Sequence, residues 1–296
     1  MPEVHQHLIE FDMSLSRTRA LFHEATFGAE ISRITYRNVM GLIKAVDPTY
    51  FEEITDRLQI EQTDADSDKI LTLGRHAHCK DYDYGRVFSV FTGMDRQLRY
   101  AFFHESLVEL DAENFIVQTL HQISQKMRPI LPCPELSNFV NNRNGTYNKV
   151  IELELDEDPK TFILRMINQR ERKDMPLFVR KLQREMTVLN EIFNVSNLHI
   201  EMNSKKKRKC GTALCRWMST LEIAMMEIIV NELQKNYDIQ NCIPIHDGVL
   251  IKKNKNVCLK QISDCVFKGT GFRFRFRLKP LKEKRNSVFN LTSLFH

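Results

Sequence analysis

The chain has 296 residues, 42% of them hydrophobic, with 43 Lys and Arg against 38 Asp and Glu for a net charge of +5. That length and apolar content exclude a disordered or fibrous chain and suffice for one large packed domain or two ordinary ones. No apolar run approaches the roughly 18 residues of a membrane span, and MPEVHQHLIEFD is polar where a signal peptide is apolar, so the expectation is an intracellular protein, of cytoplasm or nucleus, without a membrane partner.

The 7 cysteines form an odd set without a C-x-x-C pair, and Cys210 with Cys215 lacks a second ligand pair for zinc. They read as free thiols of a reducing compartment. The cations gather in NQRERK (168–173), SKKKRK (204–209), FRFRFRLK (272–279) and KEKR (282–285), the acids in DADSD (64–68) and ELELDED (152–158). Clustered Lys and Arg make nucleic acid a reasonable partner, with solvated surface loops as the plain alternative.

In chain order, residues 16–61 set Leu21, Phe22, Ile31, Ile34, Val39, Leu42, Ile43, Phe51, Ile54 and Leu58 at intervals of three, four and seven, the spacing of amphipathic helices, with Pro48 between two of them. The DADSD stretch alternates its aspartates like a calcium loop but lacks the Gly and closing Glu of an EF-hand, so a solvated linker is expected. SLVELD (106–111) reads as a short strand running into the helix AENFIVQTLHQISQKM, and the alternation of Leu107 and Glu109 against Val108 and Leu110 predicts a half-covered sheet. After RPILPCPE a second helical zone spans 136–193, interrupted at NNRNGTY and DEDP, where Pro159 suits a first helical turn and Asp158 its cap. GTALCRWMSTLEIAMMEIIVNEL is the strongest helix signal. It leads to CIPIHDGVLIKK (242–253), two strand-like runs joined at His246-Asp247-Gly248. FRFRFRL then alternates, Phe inward and Arg outward, as an edge strand whose charge deters edge-to-edge pairing.

The carboxylate at the hairpin tip, Asp247, finds its natural partner in Asp111, which ends a strand and opens a helix. Such aspartates can face each other across adjacent strands. Two hard oxygen ligands with an open side suit Mg²⁺ (or Mn²⁺), which keeps waters and takes further ligands from substrate phosphates. The plain alternatives are a tight Asp-Gly turn and a helix cap.

Four stretches, taken in order, resemble the successive motifs of the family A nucleic-acid polymerases: GRVFSVFTGMDRQLRYAFF (85–103), LVELDAENF (107–115), GTYNKVIE…DPKTFILRMIN (145–168), and GTALCRWMSTLEIAMM followed by IPIHDG (211–248). The superfamily includes bacterial DNA polymerase I and the single-subunit phage RNA polymerases, and the chain is most similar to compact viral and plasmid members. The resemblance implies an α+β polymerase right hand, with a helical thumb at 1–75, palm segments at 76–135 and 206–296 sharing an antiparallel sheet, and helical fingers at 136–205. It implies template-directed nucleotidyl transfer on a primed nucleic-acid template from nucleoside triphosphates, with a DNA product favoured over RNA, in a viral or mobile-element replication system that could include a helicase or primase. Asp111 and Asp247 would be the catalytic metal ligands, with the Ala112 carbonyl lending an oxygen. Asn114, Lys160 and Asn168 would meet the nucleotide, Arg86, Arg96 and Arg99 the template or primer phosphates, and His246 the primer end.

The chain departs from the family at Gly248, where DNA polymerases carry a second acid, at Asp156, where an Arg is expected, and at Asn168-Gln169, where Tyr-Gly is usual. Ile116 takes the place of a sugar-gating Glu, and its bulk leans toward deoxynucleotides. With 84 residues ahead of the first motif, no proofreading exonuclease is expected. Glu222, in an apolar helix, reads as an accessory acid or as a hydrogen-bonding group of the palm, and SKKKRK as a nuclear-import signal or a phosphate-gripping loop. An RNA polymerase of the same fold, or a non-catalytic nucleic-acid-binding replication subunit with a degenerate polymerase fold, stays open as an alternative.

Overall fold

The computed structural model describes residues 26–61, 68–78, 87–126, 132–167, 169, 171–195, 212–237, 242–245, 247–253 and 256–281, which make a mixed α+β protein. Asn114–Thr220 form one compact unit and Leu15–Glu113 with Leu221–His296 the other. The expected fingers fall inside the first unit, which also takes residues 114–135 and 206–220 of the expected palm, while residues 15–75 of the expected thumb share the second unit with the rest of the palm segments. No helix among the described residues is long and apolar enough to cross a membrane.

The discontinuous unit begins with β1 (Thr26–Ser32), α1 (Arg33–Val46), α2 (Pro48–Arg57), β2 (Leu58–Glu61) and β3 (Lys69–His78). β3 lies between β1 and β2, antiparallel to both, and its far end pairs with β4 (Val87–Ser89). Chain polarity at the helix starts is set by caps. Ser32 Oγ accepts from the Thr35 N–H at 3.0 Å and Asp47 Oδ1 from the Tyr50 N–H at 2.9 Å, with Pro48 at the first position of α2, where a missing N–H costs nothing. The helical expectation for 16–61 is thereby corrected at 26–32 and 58–61. The apolar spacing runs across a strand–helix junction, so Ile31 is a buried strand residue whereas Ile34, three positions on, points into solvent. Residues 1–25 and most of DADSD lie outside the described residues.

α3 (Val90–Gly93) and α4 (Arg96–Phe103) follow, and with α1 they form one core around Val39, Ile43, Phe91, Leu98, Phe102 and Phe103. Phe91 meets Phe103 edge to face with ring centroids 5.9 Å apart, the favoured geometry for two aromatic quadrupoles. The same core takes Leu107, Ile243, Ile245 and Leu250 from a second sheet, which begins with β5 (Leu107–Ala112).

The unit Asn114–Thr220 holds α5 (Phe115–Lys126), α6 (Pro134–Asn141), α7 (Arg143–Ile151), α8 (Pro159–Ile167) and α9 (Leu177–Val195). NNRNGTY, expected to interrupt the helices, does so only at Asn142, which caps α7 by accepting from the Gly145 N–H at 3.1 Å. A side chain that can satisfy an orphan donor makes a one-residue break enough. Asp158 caps α8 as expected, accepting from the Thr161 N–H at 2.9 Å. Cys133, ahead of α6, offers no side-chain cap, and Glu185 of α9 supplies one instead. Its two oxygens accept from the Glu135 and Leu136 N–H groups, each at 2.9 Å.

The unit boundary falls within α10 (Thr212–Asn236), after Thr220. Beyond it α10 buries Glu222 and Glu227 among Leu221, Met225, Ile229 and Leu233. Then come β6 (Ile243–Ile245), β7 (Gly248–Lys252), α11 (Leu259–Thr270) and β8 (Phe276–Pro280). The second sheet is antiparallel throughout, in the order β6-β7-β5-β8. Directly opposed residues share a face. One face therefore carries Leu107, Glu109 and Asp111 of β5, Leu250 of β7, Ile245 of β6, and Arg277 and Lys279 of β8. The half-covered sheet expected at β5 is a correction too, because Leu107 and Leu110 point to opposite faces and both are buried. Phe272, Phe274 and Phe276 are buried while Arg273, Arg275 and Arg277 are exposed, and β8 is an edge strand.

Candidate active site

β5 and β7 run antiparallel, so the C-terminal end of β5 meets the N-terminal end of β7. Asp111 stands opposite Gly248, and the Ala112 N–H donates to the Asp247 carbonyl oxygen at 3.2 Å. Two aspartates 136 positions apart in the sequence thus sit at neighbouring strand ends. Asp111 is 6% exposed and Asp247 half-buried.

A buried carboxylate needs a compensating charge. Two cations of β8 supply it, both to the same oxygen of Asp111. Lys279 Nζ lies 2.5 Å and Arg277 Nε 3.3 Å from Oδ2, and Arg277 also reaches Glu113 at 4.0 Å. Glu109, two residues before Asp111 on the same face, completes the cluster. Burial pushes its carboxyl above the usual carboxylate range, and Asp111 and Asp247 push it the same way; Lys279, chiefly, and Arg99 pull it back. Arg99 is fixed on α4, where its Nη1 donates to the Phe91 and Thr92 carbonyls at 3.1 and 3.4 Å. Burial lowers the guanidinium's pKa, and the nearby Glu109 charge opposes that. Arg99 therefore ties α3 to α4 and faces an acid, whereas Arg96, at the start of α4, is exposed.

Ala112 is buried at the end of β5. Asn114 is half-buried with φ 49°, a left-handed conformation that Asn adopts more readily than most residues. Lys160 is exposed in the first turn of α8, within the other unit's helices. Arg86, Asn168 and His246 lie outside the described residues. Glu109, Arg277 and Lys279 are site residues that sequence reasoning passed over, although the two-residue period of SLVELD and of FRFRFRLK sets them on the faces they occupy.

No protein-family model matches the chain, and no curated protein or solved structure does.

Gly248 has a steric reason. A Cβ there would stand 3.0 Å from the Leu110 carbonyl oxygen and 3.3 Å from Glu109 Oε1, so glycine lets β7 lie close to β5 at Asp111 and leaves room for the Glu109 carboxyl. Because the nearer obstacle is backbone, Gly248→Ala is expected to cost about 1–3 kcal/mol through strand displacement. A thermal melt unchanged from the parent protein would show that the strands accept the methyl without moving.

Among the described residues no three acidic, His or Cys side chains gather into a metal cage. Asp111 and Asp247 offer hard oxygens at adjacent strand ends, a donor type that fits Mg²⁺ or Mn²⁺ and not the softer metals that seek thiolate or imidazole.

Proposed function

We propose that the chain is a template-directed nucleotidyltransferase of the polymerase right-hand type, DNA product favoured, with Asp111 and Asp247 as its catalytic carboxylates. The observation that carries this is the meeting of the β5 and β7 ends through the Ala112–Asp247 hydrogen bond. Motif order along the chain supports it, because the two segments that resemble the family's aspartate motifs are also neighbouring strands of one antiparallel sheet.

In this reading the reaction is attack of a primer 3′-hydroxyl on the α-phosphate of a nucleoside triphosphate, with pyrophosphate leaving. Asp111 and Asp247 would hold Mg²⁺, with the Ala112 carbonyl as a further donor. When bound there, Mg²⁺ neutralises charge on the attacking and leaving oxygens. The chain's own work is positioning. The sheet holds the two aspartate-bearing strand ends side by side, Gly248 permits the close approach of their strands, and Glu109 with Lys279 and Arg277 would set the local field. Of the arginines expected to meet template or primer phosphates, Arg96 is exposed.

One observation favours the rival reading, a non-catalytic nucleic-acid-binding subunit: Asp111 already has two cationic partners. Extension of a primed template, supplied in turn with deoxynucleotides and ribonucleotides and with Mg²⁺ or Mn²⁺, tests both. Metal-dependent extension with deoxynucleotides is the expected result. Template binding without incorporation under any of these conditions would overturn the catalytic reading, and ribonucleotide-only extension would transfer it to an RNA polymerase.

A further inference from the structure

The register of β8 puts Lys279 opposite Glu109, two pairs away from Asp111, yet its Nζ reaches diagonally to Asp111 Oδ2 at 2.5 Å. Lys279 thus acts on both Asp111 and Glu109, and the Asp247 charge also bears on Glu109. Arg277 approaches the same Oδ2 from directly opposite, at 3.3 Å, while also facing Glu113. Arg99 closes the set on the Glu109 side. Glu109, Asp111, Glu113 and Asp247 against Arg99, Arg277 and Lys279 leave a formal charge of only −1. A divalent cation arriving alone would reverse the sign of this cluster, and it would seek the oxygen that Lys279 already holds. The Lys279 side chain is 31% exposed, so its ammonium has a way out to water.

We propose that Lys279 is the exchangeable counter-ion of Asp111: a divalent cation reaches Oδ2 only by displacing the Lys279 ammonium, which sets how tightly the site takes a free metal ion. The inference rests on the reading of Asp111 and Asp247 as metal ligands. It makes Lys279 a positioning residue, acting through Asp111. The same geometry separates it from Arg277, whose contact is longer and shared with Glu113.

The test is direct binding of Mn²⁺ alone to the full chain, read as the free-ion electron paramagnetic resonance signal. Lys279→Met removes both the competing contact and a like charge, so Mn²⁺ affinity is expected to rise roughly three- to tenfold. Lys279→Arg should restore most of the parent value, and Arg277→Gln should give a clearly smaller rise than Lys279→Met. Lys279→Gln provides a second neutral variant should the Met variant fold poorly by thermal melt. Unchanged or weaker Mn²⁺ binding in both neutral variants overturns the proposal, and so does an equal rise from Arg277→Gln, which would assign the effect to the general field. Asp111→Asn separates the two levels. If it weakens Mn²⁺ binding while the Lys279 variants leave it unchanged, the counter-ion role alone fails; if it does not weaken binding, the metal site and the counter-ion role fail together.

Discussion

Replacing Asp111 or Asp247 by Asn is expected to cut metal-dependent nucleotide incorporation at least about a thousandfold, equivalent to about 4 kcal/mol of transition-state stabilisation. The expectation follows from where the two groups stand. Asp111 lies near the end of β5 and Asp247 immediately before β7, on paired strands of one sheet, and their segments are joined by the Ala112 N–H to Asp247 carbonyl bond. Asn keeps the side-chain volume and one oxygen, so packing at Asp111 should survive. The Lys279 and Arg277 heads, both partly exposed, can turn to water. Circular dichroism and template affinity should therefore stay close to the parent while primer extension is lost. Extension at the parent rate by either variant would remove the catalytic assignment.

The second large effect lies in α10. Glu227 is 4% exposed, and burial raises its carboxyl to about 7. An unfolded chain ionises this group near pH 4.3. Below that pH both states are protonated and Glu227 contributes no pH dependence. As pH rises from about 4.3 to about 7 the unfolded state releases its proton and the folded state keeps it, so stability falls; above 7 both are ionised and the loss levels off. The whole span amounts to roughly 3–4 kcal/mol. Glu227→Gln should remove this slope and, at pH 8, raise the melting temperature by roughly 6–12 °C. The comparison is a pair of melts at pH 5 and pH 8. A variant no more stable than the parent at pH 8 would mean that the carboxylate is compensated in the folded protein.

What could be read from the chain, and what could not, divides along a physical line. Local signals carried well: the turn at Asp247-Gly248, the strand-to-helix step at Asp111, Asp158 ahead of Pro159, and the length of α10. Each depends on residues within a few positions of one another. Pairing did not carry. The alternation of FRFRFRLK tells which side chains share a face, but β8 pairs with β5 across 166 positions, and nothing local announces that Arg277 will oppose Asp111 or that Lys279 will oppose Glu109. The N-terminal strands were missed for another reason. Ile31 and Ile34 keep helical spacing across the Ser32 cap, so one periodic pattern hides a change of element. At Asn142 the error ran the other way, since Asn, Gly and Thr look like a loop until one of them is recognised as a cap. The same limit applies to Glu109, whose importance comes from the strand beside it.

The separation of β5 from β6–β8 also governs how the chain is made. β5 ends at Ala112 and β7, its first partner strand in the chain, begins at Gly248, so a ribosome working at roughly 5–20 residues per second takes on the order of ten seconds to deliver it. Throughout that interval LVELDA has no sheet to join, and its apolar side chains and unpaired edges are open to other chains. The intervening Asn114–Thr220 helices are local in sequence and can form meanwhile. Their early folding would shorten the effective loop that β5 must close. Chains interrupted before Ile243 would release β5 without its neighbours, which makes translation stalls in this stretch a direct source of aggregation.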